Sequence, residues 1–218
     1  MTKNLGNLLL AAVTALLVSV PVVANEDDGS VARWNFDVYI NDKKVGNHYF
    51  EVAEADGYKR VKSEADFTYK ILFFSAYRYE HSNFESWADG CLVQFDAETN
   101  ANGKRVQASG RRDGAGFSVT SGGDSVELPE CVMSFAYWNP AFLEQPRLLN
   151  PQSGEYLDVD VQRLSRDVLE VRGERVEATP YKLVAKQLEL TVWYSANDEW
   201  LALESVAKGG QIIRYELS

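Results

Sequence analysis

The chain has 218 residues and a formal net charge of -10, with 22 basic and 32 acidic side chains. An acidic balance of this size argues against nucleic acid or an anionic membrane surface as the main partner. The length suits one domain with a buried core of ordinary size, and no internal repeat is present.

The first 24 residues have the pattern of a secretory signal peptide. Lys3 is followed by an uncharged stretch with a 13-residue apolar core, Leu8–Val20, and Pro21 then ends that core. The core is shorter than the ~20 residues that span a bilayer, and Val22-Val23-Ala24 suits a signal peptidase. We expect cleavage between Ala24 and Asn25 and a periplasmic or secreted mature chain. An uncleaved anchor is the alternative.

After a short acidic linker at 25–30, hydrophobic residues recur with a period of two. Trp34, Phe36, Val38 and Ile40 alternate with polar neighbours, and turn signals such as Asp89-Gly90 separate later runs of the same kind. This pattern predicts an all-β antiparallel meander over residues 31–218, forming a single domain. To bury one face, the sheet must curl into a barrel, an open half-barrel or a sandwich, and the simple neighbour-to-neighbour strand order favours an open or closed barrel-like sheet. A short helical or irregular excursion is expected near 140–147.

Two cysteines, Cys91 and Cys131, lie in the predicted mature chain. In an oxidising compartment, an even number of cysteines predicts one disulfide. A redox-active pair is the alternative, but the Cys-x-x-Cys spacing is absent. A metal site would need further ligands, and neither His48 nor His81 has a metal-binding spacing with the cysteines. We therefore expect a structural disulfide, with no metal and no cofactor.

No catalytic motif is present in the sequence. Ser134 lacks the Gly-x-Ser-x-Gly context that exposes a nucleophilic serine. His48 lies within a predicted strand, where a surface or cross-strand role is expected. No glycine-rich phosphate loop follows a strand and opens a helix. An enzyme is therefore the least favoured class of function.

One strand combines large rings with sparse polar groups on the same face. Because strand side chains alternate, we expect this row to line a cavity for an apolar ligand, with His81 and Glu85 orienting a polar head group. In the alternative, the strand is amphipathic and its polar residues face solvent. The aromatic pair before Pro140 could form a lid over the pocket or a plug that closes the barrel. The candidate ligand-binding residues are Tyr77, Tyr79, His81, Asn83, Glu85, Trp87, Tyr137 and Trp138.

Several motifs resemble a family of small exported bacterial proteins known only as a domain of unknown function. The motifs include Tyr77-Arg78-Tyr79-Glu80-His81, Asp89-Gly90-Cys91-Leu92 and, most specifically, the segment Cys131-Val132-Met133-Ser134-Phe135-Ala136-Tyr137-Trp138-Asn139-Pro140. The resemblance implies an exported β-rich protein without assigned activity or catalytic residues. In architecture, the chain also looks like periplasmic curved-sheet carriers of lipoproteins, a likeness that says little about function.

Two functions from different classes follow from the sequence. The first is an exported binding protein or carrier that holds an apolar or lipid-like small molecule within the curved sheet. The second is a structural or interaction domain with a filled core, acting through an envelope protein partner. A cavity of several hundred cubic ångströms favours the carrier, and a filled interior favours the interaction domain.

Overall fold

β-Strands make up most of the structure. A computed structural model describes residues 29–71, 74–186, 188–207 and 210–218. The predicted signal peptide and its cleavage site lie outside the described residues. The strands are β1 (Val31–Ile40), β2 (Lys43–Ala55), β3 (Tyr58–Ile71), β4 (Phe74–Ala88), β5 (Cys91–Ala101), β6 (Lys104–Arg112), β7 (Phe117–Ser121), β8 (Asp124–Leu128), β9 (Arg147–Asn150), β10 (Glu155–Asp158), β11 (Asp160–Arg163), β12 (Asp167–Val171), β13 (Glu174–Ala185), β14 (Leu188–Tyr194), β15 (Trp200–Val206) and β16 (Ile212–Leu217).

Fourteen of these strands form one antiparallel sheet. Its order is β11-β13-β14-β15-β16-β1-β2-β3-β4-β5-β6-β7-β8, and β12 also pairs with β13. The first and last strands pair in the middle of this order, with Phe36 opposite Leu217. The predicted antiparallel meander is therefore confirmed, and the sheet is open rather than closed. Its two ends, β8 and β11, come from the middle of the chain.

Tight two-residue turns fix the register of the meander. At the β1–β2 turn, Asn41 and Asp42 have φ angles of 49° and 62°, and at the β4–β5 turn Asp89 and Gly90 have 52° and 74°. Positive φ at both central residues matches the right-handed twist of the flanking strands. Each turn determines which residues of the next strand face inward. The inward-facing side chains can therefore be assigned from one strand to the next.

The segment between β8 and β9 folds into the concave side of the sheet. We call residues 131–144 the plug segment. It ends in a 3-10 helix, Pro140–Glu144, where Asn139 Oδ1 accepts a hydrogen bond of 3.2 Å from the Ala141 amide. This is the helical excursion that the prolines predicted. Val132 and Phe142 are fully buried in the main core.

Covalent and backbone contacts hold the plug segment against the sheet. Cys91 and Cys131 form a disulfide with Cα atoms 5.0 Å apart. Beside it, the Leu92 amide donates to the Val132 carbonyl over 2.9 Å, and the Phe135 amide donates to the Leu149 carbonyl over 3.1 Å. The bond from Phe135 to Leu149 thus joins the plug segment to the β9–β10 hairpin. In the described part of the chain, no helix has the length and apolar character needed to span a membrane.

Candidate functional site

The predicted ligand-facing row of β4 points into the concave side of the sheet. His81, Asn83 and Glu85 are each 7% exposed and Trp87 is 2% exposed, while Phe84 on the opposite row is 51% exposed. The alternation of the sequence sets this arrangement, because the opposite row would bury charged Arg and Glu side chains at a high cost. The row is therefore an interior surface.

Next to this row lies a cavity of about 510 Å³, which we call the aromatic cavity. It is bounded by β1–β4, β14–β16 and the plug segment. The described residues that line it include no Lys, Arg, Asp or Glu, and its aliphatic lining comes mainly from Ile40, Leu190, Leu203 and Ile213. Its aromatic lining consists of Phe50, Phe67, Tyr69, Tyr77, Tyr79, Tyr137, Trp200 and Tyr215.

The rings of the aromatic cavity pack in ordered pairs. Tyr79 stacks on Phe67 with ring centroids 4.6 Å apart, and Tyr77 stacks on Tyr79 at 6.4 Å. Burial raises the pKa of Tyr79 well above its usual value, so its hydroxyl stays protonated at neutral pH. The wall therefore offers ring faces and neutral hydroxyl groups to an occupant.

A second, smaller space adjoins the aromatic cavity. This polar chamber has a volume of about 110 Å³ and shares five lining residues with the aromatic cavity. Its further walls come from the β4 row, the plug segment and the residues after β9. The shared residues are His48, Phe50, Tyr137, Gln152 and Leu188, and the polar residues of the chamber alone include Ser63, His81, Asn83, Glu85, Trp138 and Asn150.

Glu85 is the acidic side chain of the polar chamber. Its Oε1 accepts hydrogen bonds from Asn83 Nδ2 and Ser134 Oγ, each 3.0 Å long, and its Oε2 accepts from Trp87 Nε1 at 2.9 Å. Burial raises the pKa of Glu85, while the three donors act in the opposite direction. The carboxyl group thus connects β4 to the plug segment.

Two buried histidines lie across the chamber from the plug segment. His48 Nε2 is 2.7 Å from Ser63 Oγ, and His81 Nδ1 is 2.9 Å from Thr99 Oγ1. Burial lowers the pKa of His81 to about 4. It also lowers the pKa of His48 well below its usual value, with a further contribution from His81. Both rings are therefore neutral at pH 7.

Three buried polar atoms around the chamber have no hydrogen-bond partner among the described residues. They are His48 Nδ1, Asn83 Oδ1 and Trp138 Nε1. Trp193 Nε1 is a fourth such atom, but Trp193 lines neither the chamber nor the aromatic cavity. Buried polar atoms are almost always paired with protein or water. Within the described part of the chain, these three atoms are thus left for water or for another polar group to pair with.

Among the described residues, His48, Ser63 and Ser134 do not form a set of nucleophile, base and orienting carboxylate. His48 is close to Ser63, but no carboxylate in the described ranges orients its other ring nitrogen, and its lowered pKa makes it a weak base. Ser134 bonds to Glu85 rather than to a histidine. The described residues also contain no group of His, Cys, Asp or Glu placed to hold a metal ion.

The structure distributes the predicted site residues over three places. Tyr77 and Tyr79 line the aromatic cavity, Tyr137 lines both spaces, and Trp138 lines the polar chamber with the β4 polar groups. Trp87 lines neither space, so its predicted place in the cavity wall was wrong. Its indole packs instead at right angles to Trp138, with ring centroids 5.6 Å apart, within the main core.

His48 and Ser63 line the polar chamber but were not among the predicted site residues. We expected a surface or cross-strand role for His48, and its ring does contact Ser63 on the neighbouring strand β3. The surface alternative was wrong, because the ring is buried in the wall of both spaces. A signal was available, because His48 shares its parity with Phe50 and Val52, which are also buried. Tyr215 on β16 was missed as well, since nothing local indicates that β16 lies beside β1.

Comparison with known proteins places the chain in a family. Residues 36–218 match the family described as a domain of unknown function, DUF6134. The chain belongs to this family. A crystal structure of a β-barrel-like protein of another domain of unknown function, DUF1849, from Brucella abortus has a similar fold, with a TM-score of 0.60. The two sequences are 9% identical, and the similarity covers 85% of this chain and 94% of that chain. No curated protein matches.

Proposed function

We propose that this DUF6134 protein is an exported, non-catalytic carrier that holds an apolar or lipid-like ligand inside its curved sheet. The observation that carries the proposal is the aromatic cavity of about 510 Å³, whose described lining has no charged side chain. Cavities for small molecules usually measure ~300–1,000 Å³ and are mostly apolar, with a few polar groups. The adjoining polar chamber supplies such groups.

The distribution of packing favours a carrier over an interaction domain with a filled core. The plug segment fills the concave side where Val132 and Phe142 are fully buried. Around Ile40 and Phe67, which belong to a separate core cluster, the interior opens into the aromatic cavity instead. Filling this space with larger side chains would stabilise a purely structural domain. Because the open cavity lowers the stability of the domain, its presence supports a role in ligand binding.

Two features support export as part of the proposal. The N-terminal residues have the charge, length and cleavage pattern of a signal peptide. The Cys91–Cys131 disulfide suits an oxidising compartment such as the periplasm. An envelope carrier with one disulfide fits both observations.

Binding of the neutral fluorescent probe N-phenyl-1-naphthylamine to the delipidated mature chain tests the proposal. We expect saturable binding of one probe per chain. Leu203→Trp fills the aromatic cavity from β15 and should weaken binding by about tenfold or more, because the indole takes the space of the probe.

Val206→Trp is the matched control, since Val206 lies on the same strand and is exposed. It should leave binding unchanged. An absence of saturable binding to the folded wild type would rule out the carrier. Equal binding by Leu203→Trp and wild type would show that the probe occupies another place.

A further inference from the structure

We propose that the ligand presents an uncharged group that both donates and accepts hydrogen bonds, such as a hydroxyl or a carboxamide, to the polar chamber. The inference rests on the proposed carrier function and narrows its ligand class. The apolar body of the ligand lies in the aromatic cavity, and the uncharged group lies among His48, Asn83 and Trp138.

The unpaired atoms of the chamber define the hydrogen bonds that the ligand must make. Asn83 Nδ2 donates to Glu85 Oε1, so the orientation of the amide is set and Asn83 Oδ1 is left as an acceptor. Trp138 Nε1 can only donate. A hydroxyl group can donate to the amide oxygen and accept from the indole. An alkyl end would leave both atoms unpaired.

The charges of the site disfavour an anionic group. No Lys or Arg is among the described residues that line the chamber or the aromatic cavity. Lys59 lies over the Trp138 ring at 5.7 Å, but it pairs with Glu54 at 3.7 Å and does not line the chamber. A carboxylate would be buried close to Glu85 without a countercharge, and it could not donate to Asn83 Oδ1.

A cationic group is also poorly matched. Glu85 is the carboxylate of the chamber, and both of its oxygens already accept hydrogen bonds from Asn83, Trp87 and Ser134. An ammonium group could not accept from Trp138 Nε1. It would also lie close to His48 and His81, which are neutral and cannot offset the cost of burying its charge.

Competition between ten-carbon ligands and N-phenyl-1-naphthylamine tests the inference at about pH 7. The ligands are decan-1-ol, decanoate, decylammonium and decane, each used below its aggregation limit. We expect decan-1-ol to displace the probe at about tenfold lower concentration than either ion. Decan-1-ol should also bind more tightly than decane, because only the alcohol can form hydrogen bonds in the polar chamber.

Trp138→Phe and Trp193→Phe form a matched pair, because each removes a buried, unpaired indole N–H and keeps an aromatic ring. Trp138→Phe should lower the affinity for decan-1-ol several-fold and leave the affinity for decane unchanged. Trp193→Phe should alter neither affinity. The inference would be wrong if decanoate or decylammonium displaced the probe as well as decan-1-ol does. It would also be wrong if the two variants bound decan-1-ol with equal affinity. Neither result would contradict the carrier function. A probe that fails to bind at all removes the carrier function and the inference with it.

Discussion

Ser134 Oγ donates a hydrogen bond of 3.0 Å to Glu85 Oε1, and this contact joins the plug segment to the inward row of β4. Both side chains are buried, with Ser134 only 1% exposed. A hydrogen bond to a buried carboxyl group matters because either partner left alone is cut off from water. The bond therefore makes the position of the plug segment depend on β4.

We expect Ser134→Ala to lower the free energy of unfolding by about 1 kcal/mol. Glu85→Leu should cost more, roughly 3 kcal/mol, because three buried donors lose their acceptor. In the Glu85→Leu background, Ser134→Ala should cost nothing, since the serine hydroxyl is already unpaired. Urea denaturation of the four proteins measures this non-additivity. Strictly additive losses would show that the hydrogen bond contributes nothing to stability.

His81 should make the protein less stable in acid. Its pKa is about 4 in the folded state against an ordinary value of 6.5, so the unfolded chain binds more protons between these pH values. The stability that the neutral ring contributes is fully present above pH 6.5 and is lost as the pH falls towards 4. The loss amounts to roughly 3 kcal/mol.

The difference between wild type and His81→Gln, measured from pH 7 to pH 4 by urea denaturation, isolates this effect. Glu85 has a raised pKa and changes stability in the opposite direction, and His48 acts in the same direction as His81. Both groups are present in the two proteins and largely cancel in the difference. Stability curves that stay parallel over this range would mean that His81 titrates normally in the folded protein.

Removal of the disulfide should destabilise the protein by ~4 kcal/mol, because Cys91 and Cys131 are 40 residues apart and the bridge restricts the unfolded chain. We expect the variant with Ala at both positions to match the wild type in dithiothreitol. Reductant should leave the double variant unchanged, which controls for other effects of the reagent. Two thiols that can be alkylated in the freshly isolated folded protein would show that the pair is not joined.

The mature chain is expected to begin at Asn25. N-terminal sequencing of protein from the periplasmic fraction measures this directly. Replacing Ala24 with a bulky residue such as Trp should block cleavage, because the peptidase needs a small side chain before the cut, whereas Val23→Trp leaves that position intact. An intact Met1 on wild-type protein in the membrane fraction would instead indicate an uncleaved anchor.

Local alternation was enough to predict the class of fold and the inward row of β4. Tyr79, His81, Asn83 and Glu85 all face the interior spaces because strand parity persists over the whole of β4. The pairing of Cys91 with Cys131 was predictable from their number together with the signal-peptide pattern. The fold class, the facing of β4 and the disulfide all depend on neighbouring residues or on composition. Both can be read from a single sequence.

The remaining features depend on contacts between distant segments. Trp87 has the right parity for a cavity wall, yet Trp138 covers it, and no local pattern indicates where the plug segment folds back. His48 enters the site because β2, β14 and β16 converge on the same space. The opening of the sheet between β8 and β11 was likewise not predictable, because it depends on the pairing of β1 with β16.

The pairing of β1 with β16 has a consequence for the order of folding. The strands on each side of this pair, β2–β8 and β11–β15, can form their hairpins as soon as they are made. The two halves of the sheet can join only after β16 has been made, since Leu217 lies opposite Phe36 and the Ser218 amide donates to the Asn35 carbonyl over 2.8 Å. Until β16 has been made, we expect two incomplete sheets, each with an exposed edge.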